Sequence, residues 1–311
     1  MSKDGNTIVK GTEGNKVLLI HNEAPSSVLS DIKSLIKFVV LMLNVLPVLT
    51  GFLLALHYSN QELSAYWMTL LFTIVGSTLI MAGALIINNW YEVDLDRKMK
   101  RTIMRPTVTG SISMKTILIM GITSTLVGFI ILSFTTLESV LYAFIGWFTY
   151  VVLYTFWSKR KYTLNTIIGS VSGAVTPLIG WGAVESSFHI VPIMLFIILF
   201  IWQVPHTFSI AMRRFDDYKA AGVPMLPVVG GFEMTKRQTV IYIAGLLPTP
   251  FFLSSLGIGF VIVASIMNVI WLGFAIAGFW MKDDIKWANI IFKSSLVYLA
   301  LLFLIMIFLS I

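Results

Sequence analysis

Long apolar stretches alternate with short polar segments along nearly the whole chain. About twenty apolar residues are the length that an α-helix needs to cross the hydrocarbon core of a bilayer, and a tilted β-strand needs only about half of it. Because no water satisfies backbone groups there, only helices or closed barrels span a membrane. The pattern therefore predicts nine membrane-spanning helices, at roughly 36–56, 66–88, 116–134, 138–157, 163–184, 190–212, 239–254, 258–280 and 288–310.

Two regions depart from this regular pattern. The seventh predicted span is interrupted by Pro248 and Pro250, and Gly257 closes it early. Residues 1–35 are polar and lack the apolar core of a secretory signal. We therefore expect a polar N-terminal segment, 1–35, followed by a single nine-helix transmembrane domain, 36–311.

The composition agrees with a membrane location. Hydrophobic residues make up 57% of the 311 residues and charged residues only 12%, whereas soluble domains are about half apolar and a quarter charged. The chain contains no cysteine, which excludes disulfides, thiolate nucleophiles and thiolate-bound zinc or iron–sulfur clusters. Any metal ion must therefore be held by oxygen or imidazole ligands.

Positive charge is confined to one side of the predicted membrane. All 22 Lys and Arg residues lie before or at the start of the first span, or in and beside every second loop, and the alternate loops carry none. By the positive-inside rule, the N-terminus and the basic loops face the cytoplasm and the C-terminus lies outside a cell membrane. Anionic lipid on the basic side accounts for the net charge of +7, so we do not expect nucleic acid as a partner.

The cytoplasmic end of the second span carries an acidic cluster. Asn88, Glu92 and Asp96 recur every four residues, so a continuing helix places them on one face. Oxygen ligands at this spacing suit Mg²⁺, which takes one or two carboxylates and completes its coordination with water and substrate phosphates. The alternative is a solvated helix end whose acids are balanced by neighbouring cations.

Three cations crowd the loop that follows. Lys100, Arg101 and Arg105 are followed directly by Pro106, and such side chains form charge-assisted hydrogen bonds to phosphate oxygens. The amide, the carboxylates and these cations together describe a metal–diphosphate site.

The fourth loop lies on the same side of the predicted membrane. Its helix end carries Tyr154, Ser158, Lys159 and Arg160. These residues either anchor the helix by the positive-inside rule or add contacts to a diphosphate, and their placement beside the other basic loops favours the second interpretation.

A second acidic cluster, Asp216 and Asp217, follows the sixth span, four spans after the first. The repeated layout indicates an internal pseudo-repeat that brings both loops over one central cavity. A solvated loop is the alternative.

His206 follows Pro205, about one turn inside the membrane, where a polar group has few partners. Three interpretations stay open: a hydrogen-bonded structural histidine, a group that positions substrate or handles protons, and a ligand to a porphyrin iron.

These residues resemble the UbiA superfamily of membrane prenyltransferases, whose first motif has the form Asn-Asp-x-x-Asp-x-x-x-Asp, with a second acidic motif four spans later. More narrowly, they resemble its heme O synthase branch. The fragments that carry this likeness are Asn88-Asn89-Trp90-Tyr91-Glu92, Arg101-Thr102-Ile103-Met104-Arg105-Pro106, Ser158-Lys159-Arg160, Trp202-Gln203-Val204-Pro205-His206, Asp217-Tyr218 and Met225-Leu226-Pro227.

The resemblance implies a helical fold around a central cavity and a magnesium-dependent transfer of farnesyl from farnesyl diphosphate to a vinyl group of heme B. Addition of water then gives heme O and diphosphate. Heme B is a substrate here, and membrane lipid and other enzymes of heme synthesis are the remaining expected partners. Glu92 stands where the wider superfamily has Asp, and Asp216 and Asp217 are adjacent rather than spaced.

The resemblance also implies a role for each residue. Metal ions would be held by Asn88, Glu92, Asp96, Asp216 and Asp217. Diphosphate and catalytic contacts would come from Arg101, Arg105, Tyr154, Lys159 and Arg160. Gln203 and His206 would lie against the heme.

Three other functions remain as alternatives. A related prenyltransferase would use a quinone or another aromatic acceptor. A nine-span transporter would release no diphosphate in the presence of magnesium. A passive assembly factor for an oxidase would tolerate substitution of the carboxylates.

Overall fold

Apolar segments fold as helices throughout the part of the chain that the structure describes. The computed structural model describes residues 27–310, and these residues contain no strand. Residues 1–26 of the predicted N-terminal segment lie outside the described residues. Nearly all of the remaining part, to residue 35, forms the first helix.

Fifteen α-helices follow one another in these residues, and the seventh continues directly as a π-helix. They are α1 (Val28–Leu35), α2 (Phe38–Tyr58), α3 (Leu63–Tyr91), α4 (Val93–Asp96), α5 (Pro106–Thr109), α6 (Met114–Leu132), α7 (Leu137–Phe148) with its π segment (Thr149–Ser158), α8 (Asn165–Ala174), α9 (Thr176–Gly182), α10 (Ile190–Arg213), α11 (Phe215–Ala221), α12 (Leu226–Ala244), α13 (Thr249–Phe252), α14 (Ile258–Ala277) and α15 (Asp284–Ser310).

Seven of these segments in the described chain are long and apolar enough to cross a membrane. They are α2, α3, α6, α7 with its π segment, α10, α14 and α15. The prediction of an all-α, multi-pass membrane protein is confirmed. The count of nine spans is not confirmed, because the structure breaks the fifth and the seventh predicted spans into shorter helices.

The fifth predicted span, 163–184, consists of two short helices, α8 and α9, with Val175 between them. Pro177 lies in the first turn of α9, where its missing N–H costs nothing but where it prevents α8 from continuing. Every residue of α9 is buried. Its backbone lies so close to α2 that a Cβ at Gly180 would overlap the carbonyl oxygen of Val48.

The seventh predicted span, 239–254, is broken as its two prolines indicate, but its helix starts much earlier. The helix α12 begins at Leu226, is kinked at Gly231 (φ 75°, ψ 175°) and ends at Ala244. Its buried Lys236 binds Asp284 at the start of α15 at 2.6 Å. The apolar run that sequence analysis detects therefore overlaps only the last six residues of this helix, and the part before them carries Glu233, Lys236 and Arg237.

Small residues allow the membrane helices to approach closely. Gly83 of α3 faces Gly121 and Thr125 of α6, and a Cβ at Gly83 would lie 2.7 Å from the Gly121 carbonyl oxygen. Such contacts are typical of helix packing in membranes, where apolar lipid provides little hydrophobic drive for association. On its other side α6 exposes a stripe of large apolar residues at Ile119, Ile122, Leu126 and Ile130, which suits contact with lipid.

Candidate active site

An elongated cavity of about 360 Å³ lies between the helices of the first two thirds of the chain. On α3 and the residues just after it, the lining runs from Ser77 to Glu92, about 22 Å at the rise of an α-helix. Its far part is largely apolar, with Leu41, Ile80, Met81, Leu85, Trp147 and Ile179 in the wall, and its near end is lined by Lys37, Glu92, Asp96, Arg101, Arg105 and Lys159.

Both carboxylates at the near end are buried and each is paired with a cation. Glu92 accepts from Lys159 at 2.5 Å, and Asp96 accepts from Arg105 at 2.6 Å. Burial is the largest single influence on the pKa of Glu92 and raises it, but the charges of Lys159 and Lys37 and the hydrogen bond from Lys159 act together to bring the net pKa below the ordinary value. Burial lowers the pKa of Lys159 and the Glu92 carboxylate raises it, with a net upward direction. Both partners are therefore charged.

The predicted stack of Asn88, Glu92 and Asp96 is only partly formed. The helix α3 ends at Tyr91, and Glu92 (φ −94°, ψ 12°) makes the transition to α4. Glu92 and Asp96 both reach the cavity. Asn88 is buried behind them, where it donates to Thr155 Oγ1 at 3.0 Å and accepts from Lys37 Nζ at 2.7 Å.

The π segment places Tyr154 and Lys159 on one face. Its i→i+5 hydrogen bonds, including Lys159 N–H to Tyr154 carbonyl at 2.9 Å, align residues five apart, which an α-helix does not do. Tyr150, Tyr154 and Lys159 all line the cavity as a result. The Lys159 ammonium also lies 5.3 Å from the centre of the Tyr154 ring.

Arg160, the next residue, has a different environment. Its guanidinium binds both oxygens of Asp94 at 2.7 Å and the Tyr91 carbonyl at 3.1 Å, and stacks 4.8 Å from the Tyr91 ring centre. The hydrogen bonds from Arg160 lower the pKa of the Asp94 carboxyl. In this arrangement Arg160 ties the π segment to the end of α3 and does not line the cavity.

The two acidic loops meet, as the predicted pseudo-repeat requires. Asp217 is buried and accepts from the Lys100 backbone N–H at 3.0 Å, and the Arg101 guanidinium donates to the Tyr218 hydroxyl at 3.1 Å. Tyr218 lines the cavity, whereas Asp217 itself does not. Asp216 is exposed on the opposite face of α11.

We expect Asp217→Ala to disturb the site far more than Asp216→Ala. Asp217→Ala removes the charged acceptor of the Lys100 N–H, and a hydrogen bond to a charged group contributes about 1.5–3 kcal/mol. The loop that carries Arg101 then loses this attachment to α11. Catalytic activity and thermal stability in detergent should both fall for Asp217→Ala. Equal behaviour of the two variants would contradict this assignment.

The two predicted heme contacts lie in different places. Gln203 lines the cavity and packs over Gly173 so tightly that a Cβ there would lie 2.5 Å from the amide. His206 shares a hydrogen bond of 2.8 Å with Ser295 Oγ and stacks between Trp202 and Phe292. His206 is not among the cavity-lining residues of the described chain.

Sequence analysis did not single out Lys37, Tyr150 or Tyr218 as site residues, although all three line the cavity. Tyr150 has no charge or motif position that would distinguish it, and Tyr218 belongs to the Asp217-Tyr218 fragment, which by itself assigns the tyrosine no role. Lys37 was counted only as a cation on the basic side. Burial, together with repulsion from Arg105, lowers the pKa of Lys37 well below its ordinary value.

The carboxylates of Glu92 and Asp96 can supply only part of the coordination of a Mg²⁺ ion. In residues 27–310, no three Asp, Glu or His side chains converge as a preformed metal site. Glu92 Oε1, however, is buried with no hydrogen-bond partner among the described residues. One or two such oxygens fit an ion that completes its coordination with water and phosphate.

The chain belongs to the UbiA prenyltransferase family, whose model matches residues 44–308. A protoheme IX farnesyltransferase from Oceanobacillus iheyensis is 53% identical over 279 residues, 89% of either chain. A second, from Bacillus mycoides, is 49% identical over 295 residues, 93% of this chain and 96% of the relative.

The fold is shared with a solved UbiA homolog from Archaeoglobus fulgidus bound to DMAPP and Mg²⁺. It has a TM-score of 0.66 at 16% identity and covers 89% of this chain and 99% of its own. The resemblance to this family is confirmed by the family model and the relatives, and the protein is a membrane prenyltransferase.

Proposed function

We propose that this enzyme transfers the farnesyl group of farnesyl diphosphate to a vinyl group of protoheme IX, with addition of water, to give heme O and diphosphate. The observation that supports a prenyl diphosphate as substrate is one continuous cavity, which is apolar along most of its length and strongly basic at one end. Protoheme IX as the acceptor is supported by the two relatives described above, whose sequences are about half identical to this chain over about nine tenths of its length. Both relatives are named protoheme IX farnesyltransferase.

The charges of the cavity support a polyanionic ligand. Four basic side chains and two carboxylates line it, a formal excess of two positive charges when all six groups are ionised. Because buried charge is costly without a partner, this end of the cavity favours an anion with at least two negative charges. A diphosphate meets that requirement, and a neutral transported solute does not.

Glu92 and Asp96 would hold Mg²⁺, as the metal and DMAPP bound by the Archaeoglobus homolog support for the family. When bound, the ion would neutralise charge on the leaving diphosphate. Asp216 is exposed and is left out of this proposal, while Asp217 would act through the loop that it holds.

The residues of the chain support departure of the diphosphate. Arg101, Arg105 and Lys159 would stabilise the negative charge that gathers on its oxygens as the allylic C–O bond breaks. The apolar wall keeps water from the carbocation until the vinyl group attacks it. The resulting cation on the heme side chain is then captured by one water molecule, which releases a proton to solvent and completes the hydroxyethylfarnesyl group.

The site would face the cytoplasm of a bacterial plasma membrane, with the C-terminus outside. The confinement of Lys and Arg to one set of loops supports this orientation. Farnesyl diphosphate would thus reach the basic end from the water side while its chain extends between the helices.

The test is a vesicle assay with farnesyl diphosphate, protoheme IX and Mg²⁺, followed by mass analysis of the extracted heme. We expect a heme that has gained one farnesyl group and one water, and no product when the metal is chelated. Unchanged heme with prenylation of a quinone-type acceptor would reject the heme assignment and leave the family intact. Failure of both acceptors would favour a transporter or an assembly factor.

A further inference from the structure

Lys37 occupies an unusual backbone conformation. It joins α1 to α2 with φ 47° and ψ 56°, in the left-handed region of backbone conformation that residues other than glycine rarely adopt. Strain of this kind is retained where the surrounding structure has a use for it, often at ligand sites.

The side chain of Lys37 reaches the basic end of the cavity. Its ammonium donates to Asn88 Oδ1 at 2.7 Å and lines the cavity with Glu92 and Asp96. An amide oxygen carries no net charge. Within residues 27–310, Lys37 forms no ion pair with a carboxylate.

The other cations of the cavity are different in this respect. Arg105 is paired with Asp96 and Lys159 with Glu92. Arg101 is bonded to the Tyr218 hydroxyl but is exposed and retains contact with water. Among the cavity-lining cations of the described chain, Lys37 is therefore the one that is partly buried and has no carboxylate within ion-pair distance, although the charges of Glu92 and Asp96 act on it. An anionic ligand at its ammonium would supply that partner.

The same face of α2 is suited to an amphiphilic ligand. Val40, Leu41 and Asn44 follow Lys37 at the spacing of one helix face and line the same cavity. An anion bound at Lys37 would thus have apolar wall one turn away. A prenyl diphosphate has that layout, with its charged end next to its chain.

We propose that Lys37 is a substrate-binding residue that donates a charge-assisted hydrogen bond to the diphosphate of the prenyl substrate, and that the left-handed turn holds it there. This inference rests on the proposed function. The porphyrin propionates offer similar oxyanion chemistry, so the experiment must separate the two ligands.

The decisive variant is Lys37→Gly, because glycine adopts the left-handed conformation without steric cost. It removes the cation while relieving the backbone. Lys37→Met removes the cation and retains the side-chain length, and Lys37→Arg retains the charge. Lys33→Met, an exposed lysine one turn earlier in α1, controls for loss of one positive charge.

Binding of inorganic diphosphate with Mg²⁺ is measured by calorimetry on the detergent-solubilised full chain, and protoheme IX binding by absorbance titration. We expect Lys37→Gly and Lys37→Met to weaken diphosphate binding about 10- to 100-fold and to raise the KM for farnesyl diphosphate. Protoheme affinity should be unchanged, Lys37→Arg should recover most of the loss, Lys33→Met should behave as wild type, and Lys37→Gly should unfold at or above the wild-type temperature.

Wild-type diphosphate affinity in both Lys37→Gly and Lys37→Met would overturn the inference. So would a loss confined to protoheme, which would assign the ammonium to the propionates. If the wild-type chain itself binds no diphosphate, the proposed function fails rather than the role of Lys37 alone.

Discussion

Asp96→Asn is expected to lower prenyl transfer by about 10²- to 10³-fold, the usual loss when one element of charge stabilisation is removed from an active site. The Asp96 carboxylate is 2% exposed, lines the cavity and binds Arg105 at 2.6 Å. Asparagine keeps the shape but removes both the charge that would bind a metal ion and the partner that holds Arg105. Turnover is measured by heme product, and folding by thermal unfolding in detergent.

Asp94→Asn is the matched control. Asp94 lies two residues earlier in the same short helix, but its carboxylate is exposed and pairs with Arg160 outside the cavity. Surface pairs contribute at most about 1 kcal/mol, so activity should fall less than about fivefold. A folded Asp96→Asn enzyme with normal magnesium-dependent activity would remove this carboxylate from the proposed mechanism.

The second large effect concerns stability. Gly180→Ala is expected to lower the free energy of unfolding by about 3 kcal/mol, the upper end for overpacking. The new methyl group would overlap the Val48 carbonyl oxygen and lie 2.8 Å from the Phe52 nitrogen. Both are backbone atoms of α2, so no side-chain rotation relieves the clash. Reduced melting temperature in detergent is the measurement.

Gly273→Ala provides the comparison, because it makes the same chemical change on an open surface. Gly273 lies within α14 and a Cβ there meets nothing within 4 Å. Alanine is the better helix former by about 1 kcal/mol, so this variant should match or exceed wild type. If both variants melt alike, the close packing of α2 on α9 does not limit stability.

The number and type of most elements could be predicted because a membrane imposes a length on apolar helices. Runs such as 36–56 and 258–280 correspond to α2 and α14 within a few residues. The fifth span could not be divided correctly, because hydropathy does not register that Pro177 starts a second helix. The start of α12 is not evident in the sequence because Pro227 and the glycine pair at Gly231 are typical of a break, and Glu233, Lys236 and Arg237 interrupt the apolar run.

The candidate site was predictable where charge is rare and therefore informative. Glu92, Asp96, Arg105 and Lys159 meet at one end of the cavity, as their common side of the membrane indicated. Which cation pairs with which acid depends on geometry that no spacing contains. That geometry pairs Arg160 with Asp94, outside the cavity.

The π segment has a consequence for which changes this part of the chain tolerates. Thr149–Ser158 is a stretch of ordinary apolar composition, so many substitutions there would leave its membrane character unaltered. A change of helix type without a change in length would be different, since a shift to i→i+4 bonding would turn Lys159 away from Tyr154 and Glu92 together. The wider helical turn therefore decides which side chains face the cavity, and substitutions in this segment are tolerated as long as its i→i+5 bonding is kept.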